Sequence, residues 1–166
     1  EIGAPGAVSL FEVLSDNTTL TNLNLSGNNI SVSADPIPSV FFLYNLRLTH
    51  LRHHLDSFLS RNTTLTHLNL SHCSIDDGGA LHLSWALSRN TALTHLNLSG
   101  NEIGAPGAAS LFEVLSDNTT LTHLDLSHNG IDDGGARRLS RVLSRNTTLT
   151  HLDLSHRSEE RRVGKE

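Results

Sequence analysis

"LTHLNLSGN", residues 93–101, recurs with small changes from residues 20, 65, 121 and 149. Leu65, Leu93, Leu121 and Leu149 follow one another at a constant spacing of 28 residues. Within the stretch, Leu96 and Leu98 alternate with His95, Asn97 and Ser99. A period of two predicts a short strand with one apolar face. Gly100 and Asn101 then turn the chain, and an asparagine side chain there can satisfy backbone groups that a tight turn leaves unpaired. The equivalent turn positions hold Asn28, Asn45, Asn129 and, in the third copy, Cys73. Ile103 returns to the core, and Ala108, Leu111 and Leu115 follow at helical spacing. Pro106 suits a first helical turn. Its counterparts Gly78 and Gly134 follow Asp77 and Asp133, which are good N-caps. The small pair Gly107–Ala108 lets helix and strand approach closely, and Asn118 ends the helix.

One such unit cannot bury its apolar side, but stacked units can. The expected fold is therefore an α/β solenoid, an open curved horseshoe segment with parallel strands on the concave face and helices on the convex face. Duplication is visible directly: "EIGAPGAVSLFEVLSDNTTL" at 1–20 matches residues 102–121 except that Val8 stands where the later copy has Ala109. The array is expected to span 1–156, as a half unit 1–19, units 65–92, 93–120 and 121–148, and a partial unit 149–156. Between them the spacing fails, because Leu20 and Leu65 lie 45 residues apart. Counting back from Leu65 places Ile37, Val40, Phe42 and Asn45 of "IPSVFFLYN" on the unit's own positions. This favours a clipped unit 20–36 followed by a degenerate unit 37–64. The alternative is a single long unit carrying a loop of extra residues. After His156 the pattern stops, and "RSEERRVGKE" at 157–166 reads as a translated sequencing adapter or a charged, disordered tail. It holds four positive and three negative residues, so the remainder is more acidic than the whole.

These units resemble the ribonuclease inhibitor-like class of leucine-rich repeats in length, in the Leu96, Leu98, Asn101 and Ile103 positions, and in the Gly107–Ala108 pair. The match covers 1–30 and 65–156. Proteins of this class include the inhibitor itself, NOD-like immune receptors and the activator of the Ran GTPase. The resemblance implies a horseshoe-shaped surface that holds another protein, and cysteine at the position of Cys73 is a substitution the class commonly shows.

The outward strand positions form columns: Asn22, His67, His95, His123 and His151; then Asn24, Asn69, Asn97, Asp125 and Asp153; then Ser26, Ser71, Ser99, Ser127 and Ser155. These are the candidate partner-binding residues of the concave face, with strands about 4.8 Å apart. Stacked imidazoles also raise the expectation of a modest pH effect. A flat column does not converge as a tetrahedral zinc site requires, so no metal is expected. No catalytic set and no cofactor are expected either, since regular surface columns offer no buried nucleophile with its base. The net charge of −5 argues against nucleic acid. No apolar run reaches the roughly 18 residues of a membrane span, and no small-molecule ligand is expected. One cysteine gives no internal disulfide. Sequons such as "NLS" at Asn69 and Asn97 would put sugars on the concave face, which favours a cytoplasmic location. Trp85 is expected on a helix, partly packed on the convex side. The concave face lacks the aromatic and arginine anchors common at hot spots. The chain opens in mid-pattern and reads as a fragment of a larger protein. The functional expectation is a protein–protein interaction module. Alternatives are a regulator of a small GTPase like the Ran activator, and a structural spacer, which the near-identity of the copies favours.

Overall fold

The computed structural model describes residues 1–30 and 53–155. The elements alternate along the chain: α1 (Ala4–Ser15), β1 (Asn22–Asn24), α2 (residues 53–61), β2 (His67–Asn69), α3 (Asp77–Leu87), β3 (His95–Asn97), α4 (Ala105–Leu115), β4 (His123–Asp125), α5 (Asp133–Leu143) and β5 (His151–Asp153). The five strands form one parallel sheet in chain order, β1-β2-β3-β4-β5. The register is the repeat itself: His67 faces His95, His95 faces His123, and His123 faces His151. The open α/β solenoid with strands inside and helices outside is thus the observed fold.

Each strand is three residues long, yet its hydrogen bonding continues past its end. Leu70 N–H donates to Asn97 O and His72 N–H to Ser99 O, and the same two bonds recur from Leu98 and Gly100 to the next unit. The peptide groups of each turn are therefore paired laterally, as buried backbone must be. The core lies between sheet and helices and is almost all leucine. Leu65, Leu68, Leu70, Leu93, Leu96, Leu98, Leu121, Leu124 and Leu126 are buried from the strand side, and Ala80, Leu83, Ala108, Leu111 and Leu115 from the helix side. Phe11 and Phe58 stack in parallel at 5.3 Å and join α1 to α2.

Among the described residues β1 pairs directly with β2, Asn22 against His67. The Cys73 thiol reaches back to Leu25 O at 3.1 Å, across the same junction. Asn45 and the rest of "IPSVFFLYN" lie outside the described residues, as does the segment 157–166.

The helix starts alternate between two designs. In α3 and α5 the capping carboxylates are Asp76 and Asp132, which accept from Gly79 N–H at 2.9 Å and Gly135 N–H at 3.0 Å. The sequence reading had placed these caps one residue later, at Asp77 and Asp133. Asp77 instead serves the neighbouring helix. α4 starts at Gly104 without a side-chain cap of its own, and Asp77 Oδ1 accepts from Gly104 N–H at 2.7 Å and Gly107 N–H at 2.9 Å. A helix N-terminus carries unpaired N–H groups and a partial positive charge, so a carboxylate from the preceding unit satisfies both. The approach needs glycine: a Cβ on Gly107 would lie 2.8 Å from the Asp77 Cα.

Candidate functional site

Two asparagine ladders fix the sheet in place. At the strand-to-helix turn, Asn101 Nδ2 donates to Leu70 O and Leu98 O, both at 2.9 Å, and its Oδ1 accepts from Cys73 N–H and Ile75 N–H, both at 3.0 Å. Asn129 repeats this one unit on, donating to Leu98 O and accepting from Ile103 N–H. Asn28 does so at the start of the described array, accepting from Ile2 N–H. Cys73 keeps the position with a thiol that donates to Leu25 O and Ser71 O. Burial raises its pKa above the ordinary thiol value. The second ladder, at the helix-to-strand turn, went unread in the sequence. Asn62, Asn90, Asn118 and Asn146 each donate to a backbone oxygen of the preceding unit, as Asn90 does to Leu59 O at 2.6 Å. Each also accepts from the N–H three residues on, as Asn90 does from Leu93 at 2.7 Å. The recurring N-T-T/N-T-A is the signal that could have revealed it.

On this frame the predicted columns take different fates. His67, His95, His123 and His151 stand in one file, ring on ring, with centroids 4.0 Å apart at each step and planes within 16° of parallel. Each ring is tied to its own strand. His67 Nδ1 lies 2.8 Å from the Thr66 hydroxyl, and the same contact recurs at Thr94–His95, Thr122–His123 and Thr150–His151. The threonine hydroxyls in turn donate to the carbonyl of the threonine one unit before, or of Thr21 in the case of Thr66.

The second column is turned to local use. Asn69, Asn97, Asp125 and Asp153 each accept, through Oδ1, the N–H of the serine two residues on, at 2.8–2.9 Å. Ser99 and Ser127 add their hydroxyls to the same oxygens. These are Asx turns, which end each strand and leave the second side-chain atom toward solvent. The third column is only partly on the surface. Ser71 and Ser127 are buried and Ser99 half-buried, because the chain has already begun to turn inward toward the asparagine ladder. Of the predicted contact residues, the histidine and Asn/Asp files therefore share the face, and Ser71 and Ser127 are buried at its edge.

The two files line an open groove of about 770 Å³ running from β1 to β5. Withdrawal from water, followed by repulsion from His67, His123 and His151, lowers the pKa of His95 below the ordinary histidine value. His123 is lowered likewise, by withdrawal from water and then by His151 and His67. Asp153 lies below the usual carboxylate range, first through the Ser155 N–H and hydroxyl, with His128 a smaller contribution. His95 and His123 are thus held toward the neutral form and Asp153 toward the ionised one. All six arginines among the described residues, Arg61, Arg89, Arg137, Arg138, Arg141 and Arg145, lie on helices or at their ends. Trp85 is half exposed on α3, its ring edge-on to His82. Among the described residues no helix is long and apolar enough to cross a membrane.

The family described as Leucine Rich repeat matches residues 16–33, 61–84, 89–112, 117–140 and 145–156. No curated protein sequence matches. Among solved structures, the chain is similar to the leiomodin-1 actin-binding site 2, with 25% identity and a TM-score of 0.66 over 91% of this chain and 79% of that one. It is also similar to the tropomodulin C-terminal domain of Caenorhabditis elegans, with 14% identity and a TM-score of 0.65 over 96% and 86% of the two chains. The second likeness speaks to the fold alone.

Proposed function

The chain belongs to the leucine-rich repeat family, and from that premise we propose that it is a protein–protein interaction module which docks its partner on the concave face. The observation that carries this is the pair of polar files held in register by the two asparagine ladders. A rigid, wide, shallow face built from short strands suits a macromolecule, because little conformational entropy is lost when it is covered. The contact residues in this reading are His67, His95, His123 and His151, with Asn69, Asn97, Asp125 and Asp153. The leiomodin-1 neighbour is an actin-binding site, which favours a protein partner and makes actin the first one to try. The repeats are of the ribonuclease inhibitor-like class in this reading, and the protein acts in the cytoplasm by binding, without catalysis of its own. The uniformity of the files favours one second reading, a spacer that only separates flanking segments.

The test is capture of partners from cytosol by the intact chain, repeated with His95→Ala/His123→Ala and, as a convex control, Trp85→Ala. The proposal expects capture to fail with the concave pair and to survive the Trp85 change. The reverse pattern, or indifference to both, contradicts it and favours the spacer.

A further inference from the structure

Each threonine of the Thr66, Thr94, Thr122 and Thr150 file has one hydroxyl hydrogen and two close polar neighbours. One is a backbone carbonyl oxygen at 3.0–3.1 Å, and the other is the Nδ1 of the next histidine at 2.8–2.9 Å. A carbonyl oxygen only accepts, so an oxygen–oxygen contact of that length needs the hydroxyl hydrogen between the two atoms. The Nδ1 contact must then draw its hydrogen from the ring. Only the Nδ1–H form makes both contacts hydrogen bonds, and it does so four times over. Nε2 of His67, His95, His123 and His151 makes no hydrogen bond among the described residues, and the rings line the groove. Neutral, each Nε2 is an acceptor. Protonation keeps the Nδ1–H bond to threonine and changes only the outward atom, from acceptor to donor, while adding a positive charge.

We propose that this file is a proton-gated acceptor stripe, which with Asp125 and Asp153 takes a cationic, hydrogen-bond-donating segment of a protein partner near neutral pH and releases it on acidification. The inference rests on the docking face proposed above and adds the partner's chemistry and its control. Charge complementarity selects the occupant: the face carries two carboxylates and a row of acceptors, while every described arginine is on the helix side. The titratable and charged groups facing His95 and His123 are the other two histidines of the file, then Asp125 on β4 and Asp153 on β5, with His128 beside Asp153. Four imidazoliums at 4.0 Å spacing repel one another, so the charge enters stepwise. It enters where a basic partner would lie.

Long-range ¹⁵N–¹H correlation spectra of the intact chain read the ring tautomers directly. The expected result at about pH 7.5 is Nδ1–H for all four rings, with protonation of His95 and His123 below the ordinary histidine midpoint near 6.5. Nε2–H rings would overturn the proposal. The second arm measures binding of two short synthetic peptides, alternating lysine–glycine and alternating glutamate–glycine, at about pH 7.5 and about pH 5.5. The lysine peptide is expected to bind at the higher pH and to lose about tenfold or more in affinity at the lower. His95→Asn/His123→Asn should weaken the binding at about pH 7.5 and shrink the further loss at about pH 5.5. Failure of the lysine peptide to bind, or a pH-independent affinity, overturns the stripe. If the glutamate peptide binds instead and Asp125→Lys alters that binding, the docking face stands and the partner chemistry falls. If binding of either peptide ignores every concave substitution, the docking face itself falls.

Discussion

Residues 93–120 and 121–148 are written in nearly the same pattern, yet they sit differently in the fold. Leu115 is 1% exposed, and Leu143, its equivalent 28 residues on, is 39% exposed. Ala108 is buried and Ala136 exposed. Asp77 holds the start of the next helix, whereas Asp133 has no described helix beyond it to hold and is exposed. On the strand side Leu98 is fully buried and Leu154 is 37% exposed. The same letters therefore carry different free energies, because burial is conferred by the next copy and not by the unit's own sequence. Stability in such a stack is a sum of unit and interface contributions.

The comparison can be broken or sharpened by paired substitutions, followed by urea unfolding. Asn101→Ala leaves the Cys73 and Ile75 N–H groups and the Leu70 carbonyl oxygen without their partner and should cost roughly 4 kcal/mol. The same change at the half-buried Asn28 should cost about 1–2 kcal/mol. Leu115→Ala opens a cavity and should cost about 3 kcal/mol, while Leu143→Ala should cost under about 1 kcal/mol. Asp77→Ala removes a cap supplied between units and should cost about 1 kcal/mol, against nearly nothing for Asp133→Ala. Equal costs within any of the three pairs would contradict the neighbour-dependent picture. The smallest expected effect is that of pH. His95 and His123 bind protons more weakly folded than unfolded. The unfolded chain therefore takes up protons first as pH drops below about 6.5, and stability declines from there. His95→Asn/His123→Asn should flatten that part of the pH–stability curve.

Much of this was legible in the sequence, because a solenoid writes its geometry as a period. The strand positions, the buried Leu96, Leu98, Ile103, Leu111 and Leu115, and the turn asparagines followed from spacing alone. Three features did not. Asp76 and Asp77 are adjacent acids, and only the neighbouring unit's position shows that one caps its own helix and the other the next. The 45 residues between Leu20 and Leu65 admit either an extra unit or a long loop by counting, and the spacing alone does not choose between them. Spacing reads Asn118 only as the end of its helix, whereas buried Asn62 and half-buried Asn118 and Asn146 spend their side-chain amides on the preceding unit. In the candidate site, the histidine file was visible as a column, but its threonine tethers lie across strands. The burial of Ser71 and Ser127 was not legible, because period two does not continue through the turn.

Native-state hydrogen exchange, resolved unit by unit, tests most directly whether each copy is held by its neighbours. Amides of β2, β3 and α4 should be the most protected, with protection falling through α5 to β5. Uniform protection along the stack, or β5 as slow to exchange as β3, would contradict the account.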